Sequence, residues 1–302
     1  MGKPCLGIEP SNVNAGRITY IITYFRKGHA LLASCLKSIL SNLEEGDKVV
    51  VVDDCSKDGL ASFLSSHFPL VGCITLTQNL GPGLARNEGL KVLCTEYVQF
   101  VDADDLIHPD RSRILRGALE ANSEISFVSS QIVTFEGDIE FQPIERGTFQ
   151  ITPSHKVPYL PAVGLFRSKF LNEVGTFDHS RRWMDLSFHA AIISKSLTHL
   201  HCELPLYAYR QGEVEQISSI AIDTEGLALR SFMLAKQIVQ EEIKKPWLYP
   251  LSTTLARQSA GLPMGYHKAI AMIQPIKLAP TNWVSFKWIV FLLLNFFKVH
   301  KK

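Results

Sequence analysis

Lys48 to Asp54 reads Lys-Val-Val-Val-Val-Asp-Asp, four consecutive valines that end abruptly in two aspartates. β-Branched residues favour strands, and an unbroken apolar run is typical of a strand covered on both faces, as in a parallel sheet. The stretch therefore predicts an interior parallel strand whose carboxyl end is acidic.

Strand-like and helix-like segments alternate on both sides of this stretch. The pattern predicts further strands at residues 18–23, 71–76 and 97–101, and helices at residues 30–43, 60–67 and 83–94. Such alternation favours right-handed βαβ crossovers in a doubly wound, mostly parallel α/β sheet flanked by helices. Shorter β-like runs at residues 126–130, 131–135 and 148–151 predict a second, mixed part of the sheet. Later segments are predicted as a helix (182–196), an extended segment (197–209) and a long helix (224–245).

The composition indicates a folded protein without a nucleic-acid partner. The 302 residues are 46% hydrophobic and 20% charged, and 31 basic residues nearly balance 29 acidic ones. A net charge of +2 gives no overall field that would favour a polyanion. The six cysteines are scattered, which indicates a reducing cytoplasm rather than a disulfide scaffold. We expect no zinc at His199, His201 and Cys202, because alternate strand positions also place two histidines on one exposed face.

We expect three parts along the chain: a flexible leader (1–16), a catalytic domain (17–220) and a helical C-terminal segment (221–302). Residues 283–302 include a Trp- and Phe-rich apolar run too short to span a bilayer, with a basic end. Such a helix suits the membrane surface, although docking on the core is the alternative. The predicted location is the cytoplasm, with peripheral contact at the inner face of the cell membrane.

Acidic residues follow two of the predicted parallel strands: Asp53-Asp54, and Asp102-Ala103-Asp104-Asp105. Ligands of doubly wound sheets collect at the carboxyl ends of the strands. Crowded carboxylates repel one another unless a cation offsets the cost, and Mg²⁺ and Mn²⁺ prefer oxygen ligands. We therefore predict that Asp104 and Asp105 bind Mg²⁺ or Mn²⁺, which would neutralise a departing nucleotide diphosphate. Helix capping or turn formation is the structural alternative for each Asp.

A glycine-containing turn, Asn79 to Gly89, opens a helix between the two acidic clusters. Backbone amides at a helix start can receive an anion, and Arg86 offers a fixed cation for a carboxylate or phosphate. Because Arg86 stands where a dinucleotide fingerprint needs its third glycine, the turn does not indicate a dehydrogenase. A surface ion pair is the alternative for Arg86.

Four motifs in order resemble the inverting family 2 glycosyltransferases of GT-A fold. They are Ile22-Thr23-Tyr24, Val51 to Ser56, Asn79 to Gly89, and Phe100 to Asp105, and the similarity continues through Gly164 to Arg167, Val174 to Asp178 and Trp183 to Asp185. The resemblance implies transfer of a sugar from a nucleotide-diphosphate donor to the hydroxyl of a saccharide or lipid-linked acceptor. It assigns the base and ribose to Thr23, Tyr24, Asp53, Asp54 and Arg86, and the metal-binding motif to Asp104 and Asp105. It also places Arg210 near the diphosphate, and Asp102 and Asp104 are expected to contact the nucleotide sugar.

Asp185 takes the position of the family's general base, a role that suits a carboxylate within reach of the acceptor hydroxyl. Met184 stands where the family usually has Glu, and Phe25 where the common pattern has Asn. Two other hypotheses are a sugar-phosphate nucleotidyltransferase and a non-catalytic sugar-nucleotide-binding module. The first would want a Gly-rich loop after the first strand, which residues 23–28 lack.

Overall fold

The computed structural model describes residues 14–145, 149–154, 164–174 and 199–212, together with Phe177, Phe188 and Ile192. All of these except Ile192 belong to the first of two units into which the chain divides, residues 1–154, 158–188 and 198–217. The order of elements is β1 (Asn14–Tyr24), α1 (His29–Leu40), β2 (Lys48–Asp53), α2 (Leu60–His67), β3 (Gly72–Thr75), α3 (Pro82–Leu90), β4 (Thr95–Asp102), β5 (Leu106–Ile107), α4 (Arg111–Glu120), β6 (Phe127–Phe135), β7 (Ile151–Ser154), β8 (Gly164–Arg167), α5 (Ser168–Val174) and β9 (His199–Arg210).

The strands form one mixed sheet in the order β3-β2-β1-β4-β8-β6-β9-β5, with β7 paired to β9. The four strands from β3 to β4 run parallel to one another. Beyond β4, strand β8 is antiparallel to both β4 and β6, whereas β6 and β9 are parallel. The sequence prediction of an α/β sheet with a parallel half and a mixed half is confirmed.

Helices cover both faces of the parallel half. On one face, α1 and α4 pack on the core through Leu36, Ile39, Leu115 and their neighbours. On the other, α3 lies against β1 and β2, with Gly89 facing Ile21. The valine run of β2 is thus covered from both sides, as its composition predicts.

Some boundaries differ from the sequence prediction. The two runs expected at 126–130 and 131–135 are one strand, β6, with register shifts at Ser130, Gln131 and Ile132 that mark an irregularity where the runs were divided. Strand β7 begins three residues later than predicted, at Ile151. The extended segment at 197–209 is strand β9. The helices predicted at 182–196 and 224–245 lie outside the described residues, apart from Phe188 and Ile192.

His199 and His201 do not share the exposed face that the sequence suggested. His199 is completely buried and stacks on the Phe127 ring, with the ring centroids 4.4 Å apart. His201 is partly buried, and its Nδ1 lies 2.9 Å from Ser129 Oγ. Strand β9 therefore carries both histidines inward.

Within the described part of the chain, no helix has the length and apolar character needed to cross a bilayer. The segment predicted to lie on a membrane surface, residues 283–302, is outside the described residues.

Candidate functional site

Three adjacent parallel strands end together and define the site. Thr23 in β1 is paired with Val52 in β2 and with Asp102 in β4, and the next residue, Tyr24, is paired with Asp53. Asp53 and Asp102 therefore stand on either side of β1. Since neighbouring strands lie about 4.8 Å apart, the backbones of these two residues are about 10 Å from each other. The structure thus brings the two acidic clusters to one edge of the sheet. We call this edge the acidic rim, comprising Asp53, Asp54, Asp102, Asp104 and Asp105.

The loops that follow β1 and β2 are tied to each other and strained. Asp53 is buried, and its Oδ1 accepts a hydrogen bond from the Ser56 amide at 2.8 Å. The Ser56 hydroxyl in turn accepts a hydrogen bond from the Arg26 amide at 3.3 Å. Arg26, Cys55 and Lys57 all adopt positive φ, at 50°, 65° and 58°. Such conformations cost free energy in non-glycine residues and persist where the surroundings enforce them, often at functional sites.

Tyr24 and Thr23 lie at the end of β1 with different exposure. The Tyr24 ring is buried, and its hydroxyl donates to Asp58 Oδ2 at 2.7 Å. Burial, followed by the hydrogen bond to Asp58, raises the pKa of Tyr24 well above its ordinary value. Thr23 is partly buried. Both residues lie at the acidic rim, and their predicted contacts with the nucleotide stay predictions.

Asp54 holds the start of α3. Its Oδ1 accepts the Leu80 amide at 2.6 Å, and its Oδ2 accepts the Gly81 amide at 2.8 Å. Asn79 adds a bond from its side chain to the Asp54 carbonyl at 3.3 Å. The sequence predicted that amides at this glycine turn could receive an anion, and the anion that they bind here is a carboxylate of the protein itself. Asp54 therefore positions the turn, and its expected contact with the nucleotide stays a prediction.

Arg86 lies on α3 and is aimed at the other side of the rim. Its side chain is only 3% exposed, and Nη2 donates to Asp102 Oδ1 at 2.8 Å. The guanidinium also lies over the Phe177 ring, 5.3 Å from its centroid. The surface ion pair that the sequence allowed is therefore replaced by a buried contact with a rim carboxylate. The Asp102 side chain keeps 28% of its surface exposed.

Asp105 is fully buried and joins β4 to β9. The Tyr207 hydroxyl donates to Asp105 Oδ2 at 2.6 Å, and the Arg210 amide donates to Oδ1 at 2.8 Å. Burial, and next the neighbouring Asp102, raise the pKa of Asp105 to about 8. Both oxygens are thus occupied by protein donors. The structure does not present Asp105 for the metal-ligand role that the sequence predicted.

Asp104 has a different environment from Asp105. Its Oδ2 accepts a hydrogen bond from Lys27 Nζ at 2.7 Å, and its side chain is 13% exposed. Arg210 donates from Nε to the Asp104 carbonyl at 2.8 Å, and its guanidinium lies 4.4 Å from the centroid of the Phe135 ring. Arg210 therefore lies beside the rim, and its predicted place near the diphosphate stays a prediction. Lys27 was not among the predicted site residues, because it lies 77 residues away from Asp104 along the chain.

The carboxylates with exposed surface at the rim are therefore Asp102 and Asp104. Among the described residues, no group of three or more His, Cys, Asp or Glu side chains forms a closed metal site. Mg²⁺ and Mn²⁺ are commonly held by one or two carboxylates, with waters and substrate phosphates in the remaining positions. The donor set at Asp102 and Asp104 fits such an ion. Asp185, the predicted general base, lies outside the described residues.

Comparison with known proteins gives the same picture over a larger part of the chain. Residues 19–199, more than half of the sequence, match glycosyl transferase family 2. The chain is 30% identical over 122 residues to the succinoglycan biosynthesis protein ExoO of Rhizobium meliloti, covering 40% of this chain and 35% of that protein. It is 27% identical over 134 residues to the UDP-Gal:alpha-D-GlcNAc-diphosphoundecaprenol beta-1,3-galactosyltransferase of Escherichia coli, covering 43% of this chain and 47% of that enzyme.

These matches extend over only about a third to a half of each relative's length. A solved structure of similar fold is that of Staphylococcus aureus TarS, residues 1–349, in complex with UDP-GlcNAc. It aligns with a TM-score of 0.61 at 17% identity, covering 87% of this chain and 79% of that one. The likeness confirms the predicted GT-A fold.

Proposed function

Because the chain belongs to glycosyl transferase family 2, we propose that it transfers a sugar from a nucleotide-diphosphate donor to an acceptor hydroxyl. The observation that carries the proposal is the acidic rim. Two of its carboxylates, Asp102 and Asp104, keep exposed surface at the end of β4. Asp54 and Asp105, by contrast, are buried and accept hydrogen bonds from other groups of the protein. The rim thus separates residues that shape the site from residues that can meet a ligand.

We propose that the donor lies across the ends of β1, β2 and β4. The nucleoside is expected on the side formed by β1 and β2, where Thr23 is partly exposed and Tyr24 and Asp53 are buried beside it. Asp102, Asp104 and Arg210 line the side formed by β4 and β9, where the diphosphate is expected. Arg86 acts on this second side through Asp102, whose orientation its buried guanidinium fixes.

The proposed reaction depends on a divalent cation, Mg²⁺ or Mn²⁺, held by Asp104 with Asp102 beside it. Bound there, the cation would neutralise the charge that develops on the departing nucleoside diphosphate. In the structure, Arg86 donates a hydrogen bond to Asp102, and Lys27 donates one to Asp104. This assignment differs from the sequence prediction only in replacing Asp105 by Asp102.

We further propose that Asp185 accepts the proton of the acceptor hydroxyl. A carboxylate base on the face opposite the leaving group gives in-line attack, and the configuration at the anomeric carbon is then inverted. The substitution Asp185→Asn tests this role, because it removes the basic carboxylate and keeps the shape of the side chain. We expect turnover to fall by at least a hundredfold while nucleotide binding is retained; unchanged turnover would exclude Asp185 as the base.

The names of the relatives support an acceptor that is a growing polysaccharide or a lipid-linked saccharide. One relative takes part in succinoglycan biosynthesis, and another is named for transfer to a diphosphoundecaprenol-linked sugar. Contact with a membrane surface through residues 283–302 would suit such an acceptor. Co-sedimentation of the full chain with anionic phospholipid vesicles tests that contact, and a variant shortened at residue 282 is its control.

The donor class is tested by thermal unfolding of the protein with UDP, GDP or dTDP, each with Mn²⁺ and with a chelator. A ligand that binds only the folded state raises the melting temperature. We expect a Mn²⁺-dependent increase with UDP, since TarS and the galactosyltransferase relative are both named with uridine nucleotides. If no nucleotide raises the melting temperature with or without Mn²⁺, the proposed function is wrong.

The nucleotidyltransferase hypothesis is not favoured. Family 2 covers residues 19–199, and the loop after β1 contains Phe25, Arg26 and Lys27 where a nucleotidyltransferase would place glycines. A non-catalytic donor-binding module predicts the same nucleotide binding but no turnover. The Asp185→Asn comparison, run beside the unmodified protein with donor and acceptor, separates it from the enzyme.

A further inference from the structure

Lys27 occupies a fixed position beside the proposed metal ligand. It lies in the short loop between β1 and α1, flanked by Arg26 and Gly28, which adopt φ of 50° and 87°. Arg26 anchors this loop, because its Nε donates to the Ser56 carbonyl at 3.2 Å. The Lys27 ammonium then reaches Asp104 Oδ2 at 2.7 Å, and its side chain is only 20% exposed. A lysine held this way is more than a mobile surface charge.

The other carboxylates of the β4 terminus already have donors of their own. Asp102 accepts a hydrogen bond from the Arg86 guanidinium, and Asp105 accepts hydrogen bonds from the Tyr207 hydroxyl and the Arg210 amide. Asp104 is bonded by the Lys27 ammonium, through the oxygen Oδ2. A divalent cation that binds Asp104 must therefore approach a carboxylate already paired with a positive charge, a few Å away from that charge.

We propose that Lys27 and the divalent cation compete for Asp104, so that Lys27 couples uptake of the cation to binding of the nucleoside diphosphate. The inference rests on the proposed function, because it takes Asp104 as the metal ligand. Alone, the cation either displaces the ammonium from Oδ2 or binds the other oxygen beside it, and in both cases it bears the repulsion of the ammonium. When a diphosphate arrives as well, its oxygens give the displaced ammonium a new anionic partner, and the penalty is relieved. Lys27 thus acts on Asp104 before the diphosphate binds, and on the diphosphate itself afterwards.

A purely structural ion pair predicts the opposite behaviour. If Lys27 only oriented Asp104, its loss would leave the carboxylate less ordered, and Mn²⁺ would bind more weakly or equally well. Competition predicts tighter binding of Mn²⁺ alone. The sign of the change in Mn²⁺ affinity therefore distinguishes the two roles, independently of any measurement of turnover.

The experiment measures free Mn²⁺ by electron paramagnetic resonance during titration of the full chain, with and without UDP. In the absence of UDP, we expect Lys27→Met to bind Mn²⁺ roughly tenfold more tightly than the unmodified protein, because one repelling unit charge is removed. With UDP present, the advantage should disappear, so the ratio of the two Mn²⁺ dissociation constants falls by a similar factor. Lys27→Arg keeps the charge and should stay within about twofold of the unmodified protein.

Lys91→Met is the matched control, because it removes the same charge from the exposed Lys91–Glu88 pair on the far end of α3. It should leave Mn²⁺ affinity unchanged. Lys27→Gln serves as a second neutral variant should Lys27→Met not fold, as judged by thermal unfolding. Equal or weaker Mn²⁺ binding by the neutral variants would overturn the competition.

Asp104→Asn separates this failure from that of the proposed function. Loss of Mn²⁺ binding in Asp104→Asn, together with unchanged affinity in Lys27→Met, would refute the role of Lys27 and leave the metal site standing. Undiminished Mn²⁺ binding by Asp104→Asn would refute the metal site itself, and the role of Lys27 with it.

Discussion

The close approach of α3 to the sheet depends on Gly89, and replacing this residue by Ala should destabilise the protein. A Cβ atom at this position would lie 2.5 Å from Ile21 Cγ2 and 3.2 Å from Val52 Cγ2. Overpacking of this kind costs about 1 to 3 kcal/mol. Alanine also has a higher helix propensity than glycine, which offsets roughly 1 kcal/mol of that cost. A separation of 2.5 Å is far inside van der Waals contact, so the upper part of that range, about 2 to 3 kcal/mol, applies here. After the offset, we expect Gly89→Ala to lower the free energy of unfolding by about 1 to 2 kcal/mol.

Gly117 provides a matched control on helix α4. A Cβ atom there meets nothing within 4 Å, so Gly117→Ala gains helix propensity without any clash. This variant should be more stable than the unmodified protein by about 0.5 to 1 kcal/mol. Urea unfolding followed by circular dichroism measures both changes, which should have opposite signs. Equal shifts in the two variants would refute the packing argument.

The substitution Gly89→Ala should also weaken nucleotide binding. Arg86 lies one helical turn before Gly89, and its contact with Asp102 at 2.8 Å depends on how closely α3 approaches the sheet. A displacement of the helix moves the guanidinium away from the rim. We therefore expect Gly89→Ala, and not Gly117→Ala, to reduce UDP affinity in the presence of Mn²⁺, as measured by calorimetry.

Three further substitutions test the contacts that shape the rim, each by urea unfolding. Asp105→Ala should lower the free energy of unfolding by about 2 to 4 kcal/mol, because it leaves the buried Tyr207 hydroxyl and the Arg210 amide without their acceptor. The near-isosteric Asp105→Asn should lose much less. Equal stabilities of the Ala and Asn variants would contradict this role of Asp105. Asp54→Ala removes the acceptor of two loop amides and should cost about 2 kcal/mol or more, with Asp54→Asn intermediate; an unchanged unfolding midpoint would show that the turn holds itself. Arg86→Met should lower the free energy of unfolding by about 1 to 3 kcal/mol, less than for a fully buried pair, because Asp102 is partly exposed. The double variant Arg86→Met with Asp102→Asn should lose less free energy of unfolding than the two single variants together. If the two losses simply add, the contact contributes nothing to stability.

The sequence predicted the parallel half of the sheet because its signals are local. The valines of β2 specify a strand by themselves, and their continuity shows that both faces are covered. Because parallel strands have their carboxyl ends at one edge of the sheet, the sequence also predicted that Asp53 and Asp102 lie at the same edge. The structure places them there.

Helix α4 was missed because its buried face carries arginines. Arg111 and Arg116 interrupt the apolar periodicity, and both are buried because distant residues supply their partners. Arg111 donates to Ser130 Oγ at 2.5 Å, and Arg116 bonds the carboxylates of Asp47 and Glu44. No local pattern announces such partners.

The roles within the acidic rim were hidden for the same reason. Whether a rim aspartate meets a ligand or the protein depends on contacts made across the fold: Asp105 with Tyr207, 102 residues away, and Asp104 with Lys27. In the sequence Asp104 and Asp105 are neighbours of equal appearance. Strand β9, which pairs with β5 directly after Asp105, buries Asp105 through Tyr207 and Arg210 and leaves Asp104 partly exposed.

The central claim is that Asp104 binds a divalent cation together with a nucleoside diphosphate. Isothermal titration calorimetry of UDP tests it most directly, with Mn²⁺ and with a chelator, in the unmodified protein, in Asp104→Asn and in Asp110→Asn. Asp110 is the control, because its described partners, Arg113 and His108, are not residues of the acidic rim. We expect Mn²⁺ to strengthen UDP binding at least tenfold in the unmodified protein and in Asp110→Asn, and not in Asp104→Asn. A Mn²⁺ effect that survives in Asp104→Asn would contradict the account.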